Sequence, residues 1–178
     1  MMSYRDGDAG AFETLYRRHR GGLYRYFLRQ CGNAALAEEL FQDVWLKLIA
    51  ARQSYTSSAK FTTYIYHIAH NRLIDHYRQT SRHTVLRYGE DAAEEMEMVP
   101  GPVQDEPDYQ LNRRQLSERL MALVAELPAP QREAFLLREE SGLSLDEMAE
   151  VTGVNRETAK SRLRYAVAKL RAGLGGVL

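Results

Sequence analysis

The chain has 178 residues, 44% of them hydrophobic, and equal numbers of basic and acidic side chains give a formal net charge of zero at pH 7. This length suits one ordinary domain or two small ones. No apolar run is long enough for a membrane span or a signal-peptide core, so we expect no membrane insertion and a cytoplasmic location. A single cysteine, Cys31, excludes an internal disulfide and a thiolate metal cluster.

Three amphipathic helices are predicted in the N-terminal half. Apolar residues at helical spacing predict the first from Asp8 to about Arg29, either as one helix or as two helices broken near Gly21-Gly22. Gly32-Asn33 is expected to end this helix and to cap a second, from Ala34 to about Arg52. The third runs from about Lys60 to Arg82 and has an apolar arc that can pack into the same body.

The second predicted helix has an acidic surface with large aromatic residues beside it. The polar members of this surface are Glu38, Glu39, Gln42 and Asp43, and the aromatic ones are Phe41 and Trp45. Trp45, the only Trp in the chain, fits either core packing or a protein-interface anchor. Because an acidic patch does not suit DNA, this surface is a candidate protein interface.

The third predicted helix follows a loop at Tyr55 to Ala59 and has a polar arc of mixed chemistry. Cations, an aromatic ring and an amide lie almost in line on this arc, at Lys60, Tyr64, His67, Asn71 and Arg78. Such groups can hold phosphates, stack on a base and read a base edge, as a single-strand platform does. A solvated helix face is the alternative. The histidines lack helical zinc spacing, so we expect no metal.

Charge is distributed unevenly along the chain. Residues 1–88 carry thirteen basic and seven acidic side chains, residues 89–112 carry eight acids and no base, and residues 113–178 carry eleven bases and nine acids. Glycines and prolines without periodicity predict a linker between Gly89 and Asp108. Two basic bodies joined by an acidic segment indicate a polyanionic partner.

The C-terminal third contains strong helix-boundary signals. A helix is predicted from Tyr109 to Leu127, and Pro128-Ala129-Pro130 separates it from another at Gln131 to Glu140. Ser144 to Glu147 is a capping box that opens a short helix, which should end at Gly153. Asn155 then caps a last helix that reaches Leu170. Two helices joined by a short glycine turn are typical of a helix-turn-helix.

The last helix has two chemically different faces. Small and apolar residues form one face, whereas Thr158, Ser161, Arg162, Tyr165 and Lys169 form the other. A helix with an apolar back and a polar, cationic front can enter and read a major groove. A plain two-helix packing unit is the alternative.

Three blocks of this sequence resemble sigma factors of the extracytoplasmic-function group of the sigma-70 family. Asp8 to Tyr16 (DAGAFETLY), Ala37 to Lys47 (AEELFQDVWLK) and Phe61 to Arg78 (FTTYIYHIAHNRLIDHYR) resemble their region 2. Leu127 to Phe135 (LPAPQREAF), continuing through Thr158 to Leu163 (TAKSRL), is similar to their region 4. The resemblance covers nearly the whole chain apart from the linker.

The resemblance implies an all-α protein of two small helical domains, region 2 at 1–84 and region 4 at 113–178, joined by an acidic flexible linker at 85–112. It implies binding to core RNA polymerase, through the clamp coiled coil and the flap, and to promoter DNA, with an anti-sigma factor as inhibitor. The core-binding residues would be Glu38, Glu39, Phe41, Gln42, Asp43 and Trp45. The −10 element would meet Lys60, Phe61, Tyr64, His67, Asn71 and Arg78. The −35 element would meet Arg156, Thr158, Lys160, Ser161, Arg162, Arg164, Tyr165 and Lys169.

Linker length agrees with these roles, since about 24 residues reach at most roughly 80 Å and two promoter elements two helical turns apart are separated by roughly 70 Å. Two positions depart from the family pattern, with Tyr64 in place of the usual Trp and Tyr165 in place of an Arg.

A stand-alone helix-turn-helix regulator and a helical adaptor without a DNA role are the alternative functions. No nucleophile–base pair, phosphate loop or metal set is evident, so we expect neither an enzyme nor a cofactor.

Overall fold

The computed structural model describes residues 1–80 and 109–175, and the regular elements in these two stretches are all α-helices. The four helices of residues 1–80, which we call the N-terminal lobe, are α1 (Met2–Arg5), α2 (Ala9–Cys31), α3 (Ala34–Ala50) and α4 (Phe61–Thr80). The four of residues 109–175, the C-terminal lobe, are α5 (Tyr109–Glu126), α6 (Ala129–Ser141), α7 (Leu145–Thr152) and α8 (Arg156–Gly173). The all-α fold is therefore confirmed, while residues 85–108 of the expected linker lie outside the described residues.

The N-terminal lobe is a helical bundle in which α3 packs on both α2 and α4. Local caps set the helix limits, because the Asp8 side chain accepts from the Ala11 amide and the Asn33 side chain accepts from the Leu36 amide. Gly32 ends α2 in the left-handed conformation, with φ 64°. Buried apolar side chains fill the space between the three long helices: Leu23, Phe27, Leu40, Val44, Leu48, Ile65 and Leu73.

Helix α2 is continuous, so the alternative of a break at Gly21-Gly22 is wrong. A Cβ atom added at Gly22 would lie 2.7 Å from the backbone oxygen of Glu140, at the end of α6. Glycine is required there because the two helices approach each other too closely for a Cβ atom.

The C-terminal lobe wraps α5, α6 and α7 around α8. Pro128 precedes α6, which starts at Ala129, two residues before the predicted start. Glycines in the left-handed conformation end α6 and α7, at Gly142 and Gly153. The lobe core consists of Leu136, Leu137, Leu143, Met148, Val151, Ala166 and Leu170.

The two lobes pack against each other, α2 against α6 and α4 against α7. We call this contact the seam. Most of the buried apolar residues of both lobes belong to one continuous cluster. No helix in the described parts of the chain combines the length and apolar character needed to span a membrane.

Candidate nucleic-acid interface

Helices α7 and α8 form the predicted helix-turn-helix, held by side-chain caps at both helix starts. Ser144 Oγ accepts from the Glu147 amide at 3.3 Å, and a Glu147 carboxylate oxygen accepts from the Ser144 amide at 2.8 Å. Asn155 Oδ1 accepts from the Thr158 amide at 2.7 Å and starts α8. These bonds satisfy amides that a helix start otherwise leaves unpaired, and they set where α7 and α8 begin.

Helix α8 buries Ala159, Ala166 and Leu170 against the lobe. Five of the eight residues expected to meet DNA share one arc of the helix, which we call the α8 arc: Thr158, Ser161, Arg162, Tyr165 and Lys169. Tyr165 is exposed and the other four are half-buried. Helical geometry brings positions 158, 161, 162, 165 and 169 to one arc, so this face presents hydroxyls and cations together.

The other three predicted residues, Arg156, Lys160 and Arg164, lie on a different side of α8 and are all exposed. They line a groove whose floor includes Leu145 and Leu163. Arg156 is 3.0 Å from an oxygen of Asp146, and Lys160 is 3.4 Å from one of Glu157. The structure thus divides the predicted set into the mostly half-buried α8 arc and an exposed groove wall, a division that residue type alone does not reveal.

Helix α4 displays the second predicted DNA face, in which His67, Asn71 and Arg78 are exposed. Asn71 Nδ2 lies 3.3 Å from the His67 ring. Lys60, the residue just before α4, is mostly exposed, yet its ammonium lies 3.0 Å from a Glu147 oxygen. Lys60, one of the predicted DNA contacts, is therefore paired with a carboxylate of α7.

Tyr64 and Phe61 are half-buried members of an aromatic group that the sequence pattern only partly revealed. The Tyr64 ring lies edge-on to Tyr55 with centroids 5.0 Å apart, and Phe61 lies 5.0 Å from the His19 ring. Burial raises the pKa of Tyr64 above 10.0, with a further contribution from Tyr55, so its ring stays neutral. Tyr55 was missed because it lies in a loop, where periodicity gives no signal.

The acidic surface of α3 is exposed at Glu38, Glu39 and Gln42, and the Gln42 amide donates to Glu38 at 2.9 Å. Arg72 of α4 forms ion pairs with two carboxylates of this surface, because its guanidinium is 2.6 Å from Asp43 and 3.4 Å from Glu39.

Phe41 and Trp45 lie in the core, only 8% and 5% exposed, which favours the packing role for Trp45 over that of an interface anchor. The Trp45 ring packs on Tyr16 and Phe12, at centroid distances of 4.9 and 5.8 Å. The exposed large apolar residues of α3 are instead Leu46 and Ile49, 62% and 42% exposed. These two residues lie on the same helical stripe as Gln42, and this spacing could have predicted from the sequence that they are exposed.

Comparison with known proteins decides the family. Residues 15–83 match the model of Sigma-70 region 2, and residues 117–170 match that of Sigma-70, region 4. The RNA polymerase sigma factor CarQ of Myxococcus xanthus is 30% identical over 98% of this chain and 95% of its own length. This chain belongs to the sigma-70 family of RNA polymerase sigma factors.

The sigma factor is also similar to ECF members of that family, including SigW of Bacillus subtilis, at 26% identity over 94% of this chain and 91% of the relative. Two solved structures share its fold. CnrH, in complex with the cytosolic domain of CnrY, has a TM-score of 0.66 at 20% identity, covering 98% of this chain and 94% of CnrH. RpoE of Bartonella quintana, in complex with the anti-sigma factor NepR, has a TM-score of 0.68 at 21% identity, covering 94% and 99%.

Proposed function

We propose that this sigma factor binds core RNA polymerase and directs it to promoters by contacting a −10 and a −35 element. The observation that carries the proposal is the match of regions 2 and 4, in order, within one chain that is similar to sigma factors along almost its whole length. Three exposed surfaces of different chemistry, on α3, α4 and α8, supply the three contacts that this activity needs.

The surface of α3 is our candidate for docking on the clamp coiled coil of the polymerase. Glu38, Glu39 and Gln42 offer charged and amide groups, while Leu46 and Ile49 add apolar area that a partner can cover. Interfaces combine a desolvated apolar centre with a polar rim, and this stripe has both. Phe41 and Trp45 support the helix from the core, and Asp43 is held by Arg72.

The face of α4 is our candidate for opening the −10 element. Extruding a base from the duplex costs a few kcal/mol, which stacking and phosphate contacts must offset. Tyr64 supplies an aromatic ring held by Tyr55, His67 and Asn71 supply hydrogen-bonding groups, and Arg78 supplies a cation farther along the helix. Phe61 and Lys60 complete the predicted set at the start of α4.

The α8 arc is our candidate for reading the −35 element in the major groove. Ser161 and Arg162 lie within the first two turns, where a recognition helix meets base edges. Thr158 and Tyr165 flank them, and Lys169 is one to two turns farther on, at a position suited to phosphate. Arg156, Lys160 and Arg164 are exposed along the groove and can approach the DNA backbone from that side.

The proposal also includes the limits of the two regions and the kind of protein that inhibits this sigma factor. We assign region 2 to residues 1–84, the linker to 85–112 and region 4 to 113–178. An anti-sigma factor is the inhibitor we expect, because RpoE, which shares the fold, was solved with one. The proposed work needs no catalytic group of this chain and takes place in the cytoplasm, where polymerase meets the chromosome.

The experiment that tests the proposal compares the free protein with its complex with core polymerase. We expect the protein to join core in stoichiometric amounts and to confer promoter-specific binding that neither component shows alone. A stand-alone helix-turn-helix regulator would instead shift specific duplex DNA without polymerase and would not join core. That pair of results would contradict the proposal.

A further inference from the structure

Helix α2 carries exposed cations that the proposed promoter contacts do not include. From Thr14 to Cys31 the chain has five arginines and no acidic residue. Three of them, Arg17, Arg18 and Arg20, are exposed within one turn of the helix. We call these three residues the α2 basic face. A helix with such a surplus of one charge sign attracts a partner of the opposite sign.

The charges of the α2 basic face are available to such a partner. In the described part of the chain, the arginines of α2 that pair with a carboxylate are Arg25 and Arg29, and both contact Glu140. The guanidinium carbon of Arg20 lies 6.0 Å from the centre of the Tyr16 ring, in a contact that leaves the arginine exposed. The α2 basic face therefore has three guanidinium groups without a carboxylate partner among the described residues.

The α2 basic face borders the residues proposed to open the −10 element. The ring of His19, next to Arg18 in the chain, is 5.0 Å from the ring of Phe61. Arg18 and Thr62 line the same polar cavity of about 270 Å³. Burial and the charge of Arg18 lower the pKa of His19 below 6.5, so this ring is neutral at pH 7 and adds no charge. A nucleic-acid strand held at the start of α4 therefore lies within reach of Arg18.

The chemistry and spacing of these arginines suit a sugar–phosphate backbone. A guanidinium group donates two parallel hydrogen bonds to a phosphate and stays charged at physiological pH. Arg17 to Arg20 covers about 4.5 Å of the helix axis, and the phosphates of one strand follow each other every ~3.4 Å along a duplex. Successive helix residues point about 100° apart, so Arg17 and Arg18 diverge and can reach different phosphates.

We propose that the α2 basic face binds backbone phosphates of the promoter DNA beside the −10 contacts, so that region 2 holds the DNA with two helices. This inference rests on the proposed function, in which α4 opens the −10 element. Phosphate contacts fix the position and orientation of a nucleic acid but carry no sequence information. The α2 basic face thus supplies affinity and position, while α4 supplies base stacking and selectivity. Its place beside α4 favours DNA over an acidic protein as the partner.

The salt dependence of DNA binding by the complex with core polymerase tests this contact. The template has a pre-melted −10 element with duplex on both sides and no −35 element, so region 4 makes no specific contact. Each phosphate contact contributes about 0.7–0.9 to the slope of log K against log salt concentration. Arg17→Gln with Arg18→Gln should therefore lower the slope by about 1.4–1.8 and weaken binding in 0.1 M salt by about fivefold or more.

Arg119→Gln with Arg171→Gln is the matched control, because it removes the same charge at exposed positions of the C-terminal lobe. We expect this control to keep the parental slope and affinity on this template. The loss for the α2 variant should be the same when the −10 bases are changed, since backbone contacts do not read sequence. Both variants should match the parent in circular dichroism and in competition for core polymerase. An α2 variant that loses affinity for core instead would show that the face binds polymerase, which overturns the proposal.

Neutral methylphosphonate linkages, placed one at a time in each strand of the template, locate the contact from the DNA side. A linkage that replaces a phosphate bound by the α2 basic face should weaken binding of the parent about five- to eightfold in 0.1 M salt. The same linkage should have no further effect on the Arg17 and Arg18 double variant, because the partner of that phosphate is already removed. If every linkage that weakens the parent weakens the double variant equally, the proposal is wrong.

These measurements distinguish a failure of this inference from a failure of the proposed function. If the parent protein does not improve binding of the −10 template over core polymerase alone, the proposed function is wrong and the α2 contact is wrong with it. If the parent improves binding and the Arg17 and Arg18 double variant has the parental salt slope, the inference alone is refuted, and α4 holds the −10 element without help from α2.

Discussion

Reversing the charge of the α3 surface should weaken binding to core polymerase while leaving the fold intact. The change is Glu38→Lys with Glu39→Lys. Its cost to folding is small, because Glu39 is 61% exposed and its ion pair with Arg72, at 3.4 Å, is of the exposed kind that contributes about 0–1 kcal/mol. Arg72 keeps its closer contact with Asp43, at 2.6 Å.

The effect on binding is larger because each substitution replaces an attraction by a repulsion. Like charges brought together in an interface cost several kcal/mol, and a loss of about 3 kcal/mol corresponds to roughly 100-fold weaker binding. Competition against labelled parent protein for a limiting amount of core measures this ratio. Asp6→Lys with Glu13→Lys is the control, since it makes the same change in charge at exposed positions outside the α3 surface.

Two results would refute this reasoning. If the Glu38 and Glu39 double variant competes for core as well as the parent does, α3 is not the docking surface. If the control variant loses as much affinity, net charge rather than this surface controls binding. Either comparison requires that thermal unfolding gives both variants a free energy of unfolding within about 1 kcal/mol of the parent value.

Three further predictions concern α4, α8 and the seam. Tyr64→Ala should reduce open-complex formation on duplex promoters more than on pre-melted templates, with Tyr64→Phe close to the parent; equal loss on both templates would make the ring structural. Arg162→Ala should cost about 1–3 kcal/mol and relax preference at one −35 position, whereas Lys169→Ala should weaken all promoters alike and lower the salt slope by about one; a randomised −35 library at two salt concentrations separates them. Bonds from Ser144 and Lys60 lower the pKa of Glu147 from 4.5 to about 2, so its stabilising contribution is complete above about pH 4.5 and is lost as the pH falls toward 2. Urea unfolding across that pH range should therefore show a smaller loss of stability on acidification for Glu147→Gln than for the parent, and equal losses would contradict this role of Glu147.

The helix-turn-helix could be predicted from sequence because its signals are local. The capping box at Ser144, the left-handed Gly153 and the Asn155 cap are all present where the residue types indicate them. Each depends on bonds within four residues, so tertiary packing has little opportunity to override it.

The seam could not be predicted from sequence because its contacts join residues more than sixty positions apart. Tyr26 and Glu133 are separated by 107 positions, and Arg25 and Glu140 by 115. Gly22 was interpreted as a possible helix break for the same reason, since its partner is backbone in another lobe. Periodicity indicates which face of a helix is buried, yet not which helix covers it.

The α3 surface lies between these cases. The pattern of charged and apolar residues located the exposed stripe at Glu38, Glu39 and Gln42. It did not decide whether Trp45 is an interface anchor or a core residue. Its ring completes a core with Phe12 and Tyr16, and the exposed apolar area belongs to Leu46 and Ile49. Residue type alone does not separate an interface anchor from a core residue when both lie at helical spacing.

The most direct test of the central claim is transcription by core polymerase from a library in which the DNA upstream of a fixed reporter is randomised. Sequencing of the transcript 5′ ends, with and without the sigma factor, identifies the promoters that it selects. We predict two enriched elements, about two helical turns apart, with Arg162→Ala relaxing only the upstream one. Identical transcripts with and without the protein, or enrichment of a single element, would contradict the account.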